Sequence, residues 1–203
     1  LGPFAPRKVQ ALEPFTREYC HSLVYAALET SNEQGWFDAA IGYSQNIPVK
    51  VIAQMLGLPA EDGPVFRRFI HNIIENPVQR EIPEEETVEW YFDQQIAKRK
   101  ANPKPPGEGD LIDHLLNVEI FGEALAPEHV RGTVVLLLVA GIDTTWSSIG
   151  SAIWHLAQHP NDLARFRDDP EVRPFAVEEF LRAYAPVTMA RMVNLMTKLK
   201  TAA

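Results

Sequence analysis

An acid and two hydroxyls stand in the middle of a stretch that is otherwise apolar. The residues are Ala140-Gly141-Ile142-Asp143-Thr144-Thr145, and they follow the run Val134 to Val139. A carboxylate can hold a proton, and a hydroxyl can both donate and accept a hydrogen bond. Their placement has a physical cost. Glycine inside a helix is about 1 kcal/mol worse than alanine. A buried aspartate is costly unless it is paired or hydrogen-bonded. Threonine can bond back to a carbonyl one turn earlier and bend the helix. Together these residues predict a local kink or widened turn, a feature often found at functional sites. A packing kink around a satisfied aspartate explains the same residues, so the hexad alone leaves both readings open.

Two further motifs carry charge. Glu179-Phe180-Leu181-Arg182 is an E-x-x-R. Its i, i+3 spacing puts both charges on one helix face. Such pairs are common on surfaces and worth little there. Glu178 is a neighbour, but only Glu179 lies three positions before Arg182. Ala185-Pro186-Val187 then ends the helix, and Arg191 follows. An arginine suits a two-pronged bond to a carboxylate; it is equally at home as a surface charge.

The elements that must hold these residues read as helices. Apolar residues recur at helical spacing from Val9 to Leu28, with Pro14 splitting off a short first turn. Asn46-Ile47-Pro48 reads as a helix start, and Gly57-Leu58-Pro59 as its stop. Phe66, Phe69, Ile70, Ile73 and Ile74 mark the next helix. Residues 83–100 form another, acidic at Glu84-Glu85-Glu86 and basic at Lys98-Arg99-Lys100, an order that suits the helix dipole. A loop at Asn102 to Gly107 and a short helix from Asp110 to Val118 come next. Pro127 to Gln158 is the long central helix, about 48 Å by its rise per residue. Val134 to Val139 is apolar on every side, which predicts a helix running through a core. Two more helices follow, near Asp162 to Arg167 and Glu171 to Tyr184. No alternating strand stands out, so the fold class expected is all-α, with residues 1–203 one partial domain.

Composition bounds the function. The 203 residues are 46% hydrophobic and 23% charged, close to a globular average. A net charge of −8 argues against nucleic acid, which binds basic surfaces. The single cysteine, Cys20, excludes an internal disulfide framework. The longest apolar run, Val134 to Gly141, is well short of the ~20 residues of a membrane span, and the start lacks the pattern of a signal peptide. The chain therefore reads as cytoplasmic, with no membrane.

The order of these motifs resembles the cytochromes P-450, most of all the soluble bacterial members. The resemblance rests on A-G-x-D-T-T in a long helix, His159-Pro160 near its end, then Glu179/Arg182, Pro186-Val187 and Arg191. Phe4-Ala5-Pro6-Arg7, Leu56-Gly57-Leu58-Pro59 and Asp110-Leu111-Ile112 agree with it. It runs from about residue 1 to Arg191, nearly the whole chain.

The resemblance implies the helical half of that fold and a heme-dependent monooxygenase. Such an enzyme inserts one atom of dioxygen into a C–H bond of an apolar small-molecule substrate, with electrons from NAD(P)H passed through a ferredoxin or reductase. The implied cofactor is heme b (iron protoporphyrin IX). Asp143 matches the acid that delivers protons, and Thr144 the hydroxyl beside the dioxygen site. Ala140 and Gly141 match the small residues that let the helix pass close to the porphyrin. Arg191 matches the arginine that pairs with a heme propionate. Glu179 and Arg182 match a structural salt bridge. By analogy the substrate pocket draws on Phe66 to Ile74, Leu137 to Ala140 and Val187 to Ala190; a core role is the simpler reading for most of these.

One departure matters. The family's iron ligand is a cysteine thiolate in a Phe- and Gly-rich loop after the E-x-x-R helix. No such loop is present, and Cys20 lies early in a helix without that context. The chain thus reads as a central fragment with no metal ligand of its own. An inactive helical module acting as a binding or interaction protein is the alternative. Apolar surface left uncovered in either case predicts self-association.

Overall fold

The computed structural model describes residues 4–75, 82–105 and 107–187. Among them are nine α-helices: α1 Pro6–Gln10, α2 Glu13–Gln34, α3 Asn46–Leu56, α4 Gly63–Ile70, α5 Val88–Ala101, α6 Leu111–Asn117, α7 Pro127–Gln158, α8 Pro160–Asp168 and α9 Arg173–Ala183. Proline occupies one of the first two positions of α1, α2, α4, α7, α8 and α9. Its missing N–H is no loss there, and its fixed φ is already helical. Gly35 and Gly57 end α2 and α3 in the left-handed conformation, at φ 81° and 62°.

The architecture is helical as expected, with one short addition. Glu119–Ile120 (β1) and Glu123–Ala124 (β2) pair antiparallel in a short hairpin before α7. Its two-residue loop is Phe121-Gly122, with φ of 57° and 83°. Positive φ at both loop positions matches the twist of a tight hairpin. Phenylalanine is an unusual occupant of the first position, which is why the sequence pattern does not announce the turn.

The core forms where α7 crosses α3, α4 and α5. Val130, Val134, Leu138 and Ile142 are all fully buried, at four-residue spacing. They join Leu56, Phe66, Ile70, Phe92 and Ile112 in one cluster. Burying each such side chain contributes about 1.5–3 kcal/mol. At the edge of this cluster, the half-buried Tyr91 ring meets Phe66, Phe69 and Phe92 edge-on, with centroids 5.4–5.8 Å apart. Its hydroxyl donates to Asp62 Oδ2 at 2.6 Å. Burial, and then the Asp62 carboxylate, push the Tyr91 phenol far above its usual range.

A polar clamp closes the far side. Arg99, near the end of α5, donates through Nη2 to Asp110 Oδ2 at 2.9 Å. The same nitrogen reaches the carbonyls of Leu56 and Gly57 at 3.1 and 2.9 Å. These are the carbonyls that α3 leaves unpaired at its end. Asp110 in turn caps α6, accepting from the Ile112 and Asp113 N–H groups. Asp113 completes the capping box by accepting from Asp110 N–H at 3.0 Å, and Lys104 Nζ stands 3.2 Å from it.

Contrary to expectation, α7 is not buried all round. The core takes a single stripe of it, and Leu136 on the other side is 66% exposed. The run Val134–Val139 is apolar on both faces; among the described residues Val134 and Leu138 are fully buried, Val135, Leu137 and Val139 are half-buried, and Leu136 is left exposed. The membrane reading also needs adjusting. The run is short, but α7 as a whole has a window of mean hydropathy 1.4 and is long and apolar enough to cross a bilayer by length and composition.

Candidate active site

The expected widened turn is absent, and α7 is α-helical without interruption from Pro127 to Gln158. The reason is local. Thr144 Oγ1 donates to the Ala140 carbonyl at 2.7 Å, and Ser148 Oγ to the Thr144 carbonyl at 2.8 Å. These bonds use spare carbonyl lone pairs and leave the ladder intact. Gly141 faces α3, where a Cβ would touch Ile52 Cδ1 at an ordinary 3.4 Å. The Asp143 carboxylate is half-buried and makes no hydrogen bond or ion pair among the described residues. The cost foreseen for a buried acid does not arise, because solvent reaches it.

Ala140 and Thr144 lie two positions beyond Leu138 and Ile142. At 100° per residue that is about 200° around the helix, opposite the core stripe. The open side of α7 therefore presents Leu136, Ala140 and Thr144 in order. Beside it lies an apolar trough of about 910 Å³ between α1, α2, α3 and α7. Leu12, Cys20, Ile52, Leu137, Ala140 and Gly141 are among its lining residues. Thr145 also lines it; Asp143 and Thr144 do not. Cys20 is half-buried in the trough wall. Burial, and then the neighbouring Cys20 thiol, push the Tyr43 phenol up to about 12.

Glu179 and Arg182 meet as the spacing requires. Arg182 Nε and Nη2 donate to Glu179 Oε2 and Oε1, both at 2.7 Å. The bond lowers the carboxyl's pKa and raises the guanidinium's. The choice of Glu179 over Glu178 is resolved, and the pair is exposed, at 60% and 72%. It sits on α9, which packs on the end of α7 through Trp154 and His155 against Tyr184. From Asp143 to His155 is about 18 Å along the helix, so the pair is remote from Asp143 and Thr144. Arg191 and residues 188–190 lie outside the described residues.

Of the expected pocket residues, Phe66, Phe69 and Ile70 are buried core. Ile73, Ile74 and Val187 are exposed. Leu137 and Ala140 do line the trough, together with α2 and α3 residues the sequence reading had not placed there. Ile52 and Met55 showed only helical spacing; which space they face depends on tertiary packing.

The family model for cytochrome P450 matches residues 48–172. The chain belongs to the cytochrome P450 family. It is 30% identical over 198 residues to the luteothin monooxygenase of Streptomyces thioluteus, covering 94% of this chain and 47% of that protein. It is 31% identical over 189 residues to the vitamin D(3) 25-hydroxylase of Pseudonocardia autotrophica, covering 92% and 45%. Among solved P450 structures, CYP109Q5 from Chondromyces apiculatus superposes with TM-score 0.72 at 34% identity, over 89% of this chain and 44% of that one. The chain thus spans about half the length of the curated relatives it matches, and its fold is the helical part of the P450 fold.

P450s use heme b, and the open side of α7 fits such a group. Ala140 is exposed there and Gly141 has no side chain, so nothing bulky stands between the helix backbone and the trough. By the family resemblance Ala140, Gly141 and Thr144 are the residues that would face it. The chain's one cysteine, Cys20, is not in the family's ligand context.

Proposed function

We propose that this chain forms the helical half of a heme-dependent monooxygenase that hydroxylates a C–H bond of an apolar small molecule. Dioxygen is the oxidant, and electrons come from NAD(P)H through a ferredoxin or reductase. The iron ligand comes from outside these residues. The observation that carries the reading is the small-residue surface of Ala140 and Gly141 on α7, which borders the apolar trough, with Asp143 and Thr144 following within one turn of the same helix. When bound, the heme would supply the activation of dioxygen. The chain's own part is to move protons and exclude water.

Asp143 Oδ is open to solvent and has no competing partner, so it can take up and release a proton. Thr144 Oγ1 donates to the Ala140 carbonyl, which fixes its proton and leaves its lone pairs free to accept. We read the two residues as a relay, with Asp143 exchanging protons with water and Thr144 offering an acceptor on the open face of α7. The trough is apolar, which suits an apolar substrate. The vitamin D(3) hydroxylase among its relatives is in keeping with that class. Arg191 would pair with a heme propionate, and Glu179 with Arg182 would keep the fold.

The test uses the full-length heme-loaded enzyme. Asp143→Asn is expected to slow product formation by about 100-fold, the scale of one lost proton-transfer group. Thr144→Ala is expected to keep NAD(P)H consumption while diverting it to hydrogen peroxide. Unchanged rate and coupling in both variants would remove the relay from the proposal.

A further inference from the structure

A second cluster of ligating atoms lies at the far end of α7, away from the trough. His155 is in the last turn of α7, His159 caps it, and Asp162 is in the first turn of α8. One ligand atom from each residue lies within 4.8 Å of the others. His155 Nε2 is 3.0 Å from Asp162 Oδ2. The two imidazoles are stacked, with centroids 4.1 Å apart and planes 15° from parallel.

The other ring nitrogens are already held. His159 Nδ1 is 2.8 Å from the His155 carbonyl. A carbonyl can only accept, so Nδ1 carries the proton and Nε2 keeps its lone pair. His155 Nδ1 is 2.7 Å from the Tyr184 hydroxyl. Without an ion, His155 Nε2–H donates to the Asp162 carboxylate at 3.0 Å and Nδ1 accepts from the Tyr184 hydroxyl; a bound ion would exchange the tautomer, with Nδ1–H then donating to that hydroxyl. Metal-bound histidines typically have this arrangement, with the second nitrogen anchored to an oxygen that fixes the tautomer. An ion pair between His155 and Asp162 would need neither His159 nor an anchored second ring.

Distance and ligand type then choose the ion. A tetrahedral ion with bonds of about 2.0–2.1 Å places its ligand atoms about 3.3 Å apart. The His155–Asp162 pair is near that spacing; exposed His159 would join it by turning out of the stack and giving up its bond to the His155 carbonyl. Two imidazoles and a carboxylate suit the later first-row divalent ions. We propose that His155, His159 and Asp162 bind a zinc ion, with water as the fourth ligand, and that the ion ties the end of α7 to the start of α8 across the break at Pro160.

The test is titration of the full chain with Zn2+ alone, in competition with a chromophoric chelator, alongside thermal unfolding followed by circular dichroism. One ion per chain and a rise in Tm are expected. His159→Gln alters an exposed residue outside the core, so it should keep the helical spectrum. It should also weaken zinc binding by about ten-fold or more, as should Asp162→Asn. His129→Gln, at the other end of α7, should leave binding unchanged. Equal zinc affinity in the His159→Gln/Asp162→Asn double variant and the parent would overturn the site, as would the absence of one-to-one binding.

Discussion

Where α3 ends, Gly57 turns its bare α-carbon toward the carboxylate of Asp110, and a Cβ there would run into that side chain. Gly57 also holds φ at 62°. Gly57→Ala therefore meets two costs, a left-handed backbone and a displaced Asp110. The backbone strain alone is worth about 1–3 kcal/mol. Urea unfolding should show a lower midpoint with an unchanged slope. A midpoint equal to the parent's would mean that the α3–α6 approach is looser than it looks.

Arg99 is the partner that Asp110 would lose. Arg99→Ala leaves the nearly buried Asp110 carboxylate and two helix-end carbonyls without their shared donor, and removes the positive charge 4.0 Å from Asp113. Breaking a buried pair from one side costs about 3–5 kcal/mol. Arg99→Lys should recover only part of it, because an ammonium cannot reach the forked set of acceptors. Equal stabilities of the lysine variant and the parent would show that charge, not geometry, is what matters.

The same corner sets an acid limit. Burial pushes the Asp113 carboxyl up. The Asp110 N–H, the Lys104 ammonium and the Arg99 guanidinium outweigh that and hold it below the usual value of 3.8. A carboxyl depressed in the folded state adds stability above its unfolded pKa and loses it as pH falls through the folded one. Stability should thus fall below about pH 4, and Asp113→Asn should flatten that part of the profile while lowering the neutral-pH plateau. An unchanged acid slope in Asp113→Asn would assign the loss to other carboxylates.

The exposed Glu179–Arg182 pair calls for the opposite result. Glu179→Gln should leave the unfolding midpoint of this chain unchanged, since solvent screens the pair on all sides. A clear loss would show that the pair is buried by association.

The uncovered side of α7 predicts that association directly. Leu136, Trp154 and, elsewhere, Phe175 are large apolar residues left exposed. The full chain should self-associate in light scattering, and Leu136→Glu should shift it toward monomer. A monodisperse parent would refute this.

Much of the fold was legible because prolines and glycines mark the helix ends. Pro127 and Pro160 bound α7, and Gly57 ends α3 where expected. The E-x-x-R contact was legible because i, i+3 geometry is local. The Phe121-Gly122 hairpin was hidden by an aromatic in a position usually held by asparagine or glycine. The widened turn was over-read, since α7 stays α-helical through Gly141 and Thr144 bonds back without breaking the ladder. The trough and the His155–His159–Asp162 cluster depend on how helices pack, although H-x-x-x-H followed by Asp was a signal in plain view.

Tyr91 gives the molecule an internal gauge. Of the five tyrosines, this one is walled in by three aromatic rings and bonded to Asp62. Burial among those rings and the Asp62 carboxylate disfavour its phenolate. In an alkaline spectrophotometric titration of the tyrosines, its ionisation should arrive only when helicity collapses, and the two curves should share one midpoint.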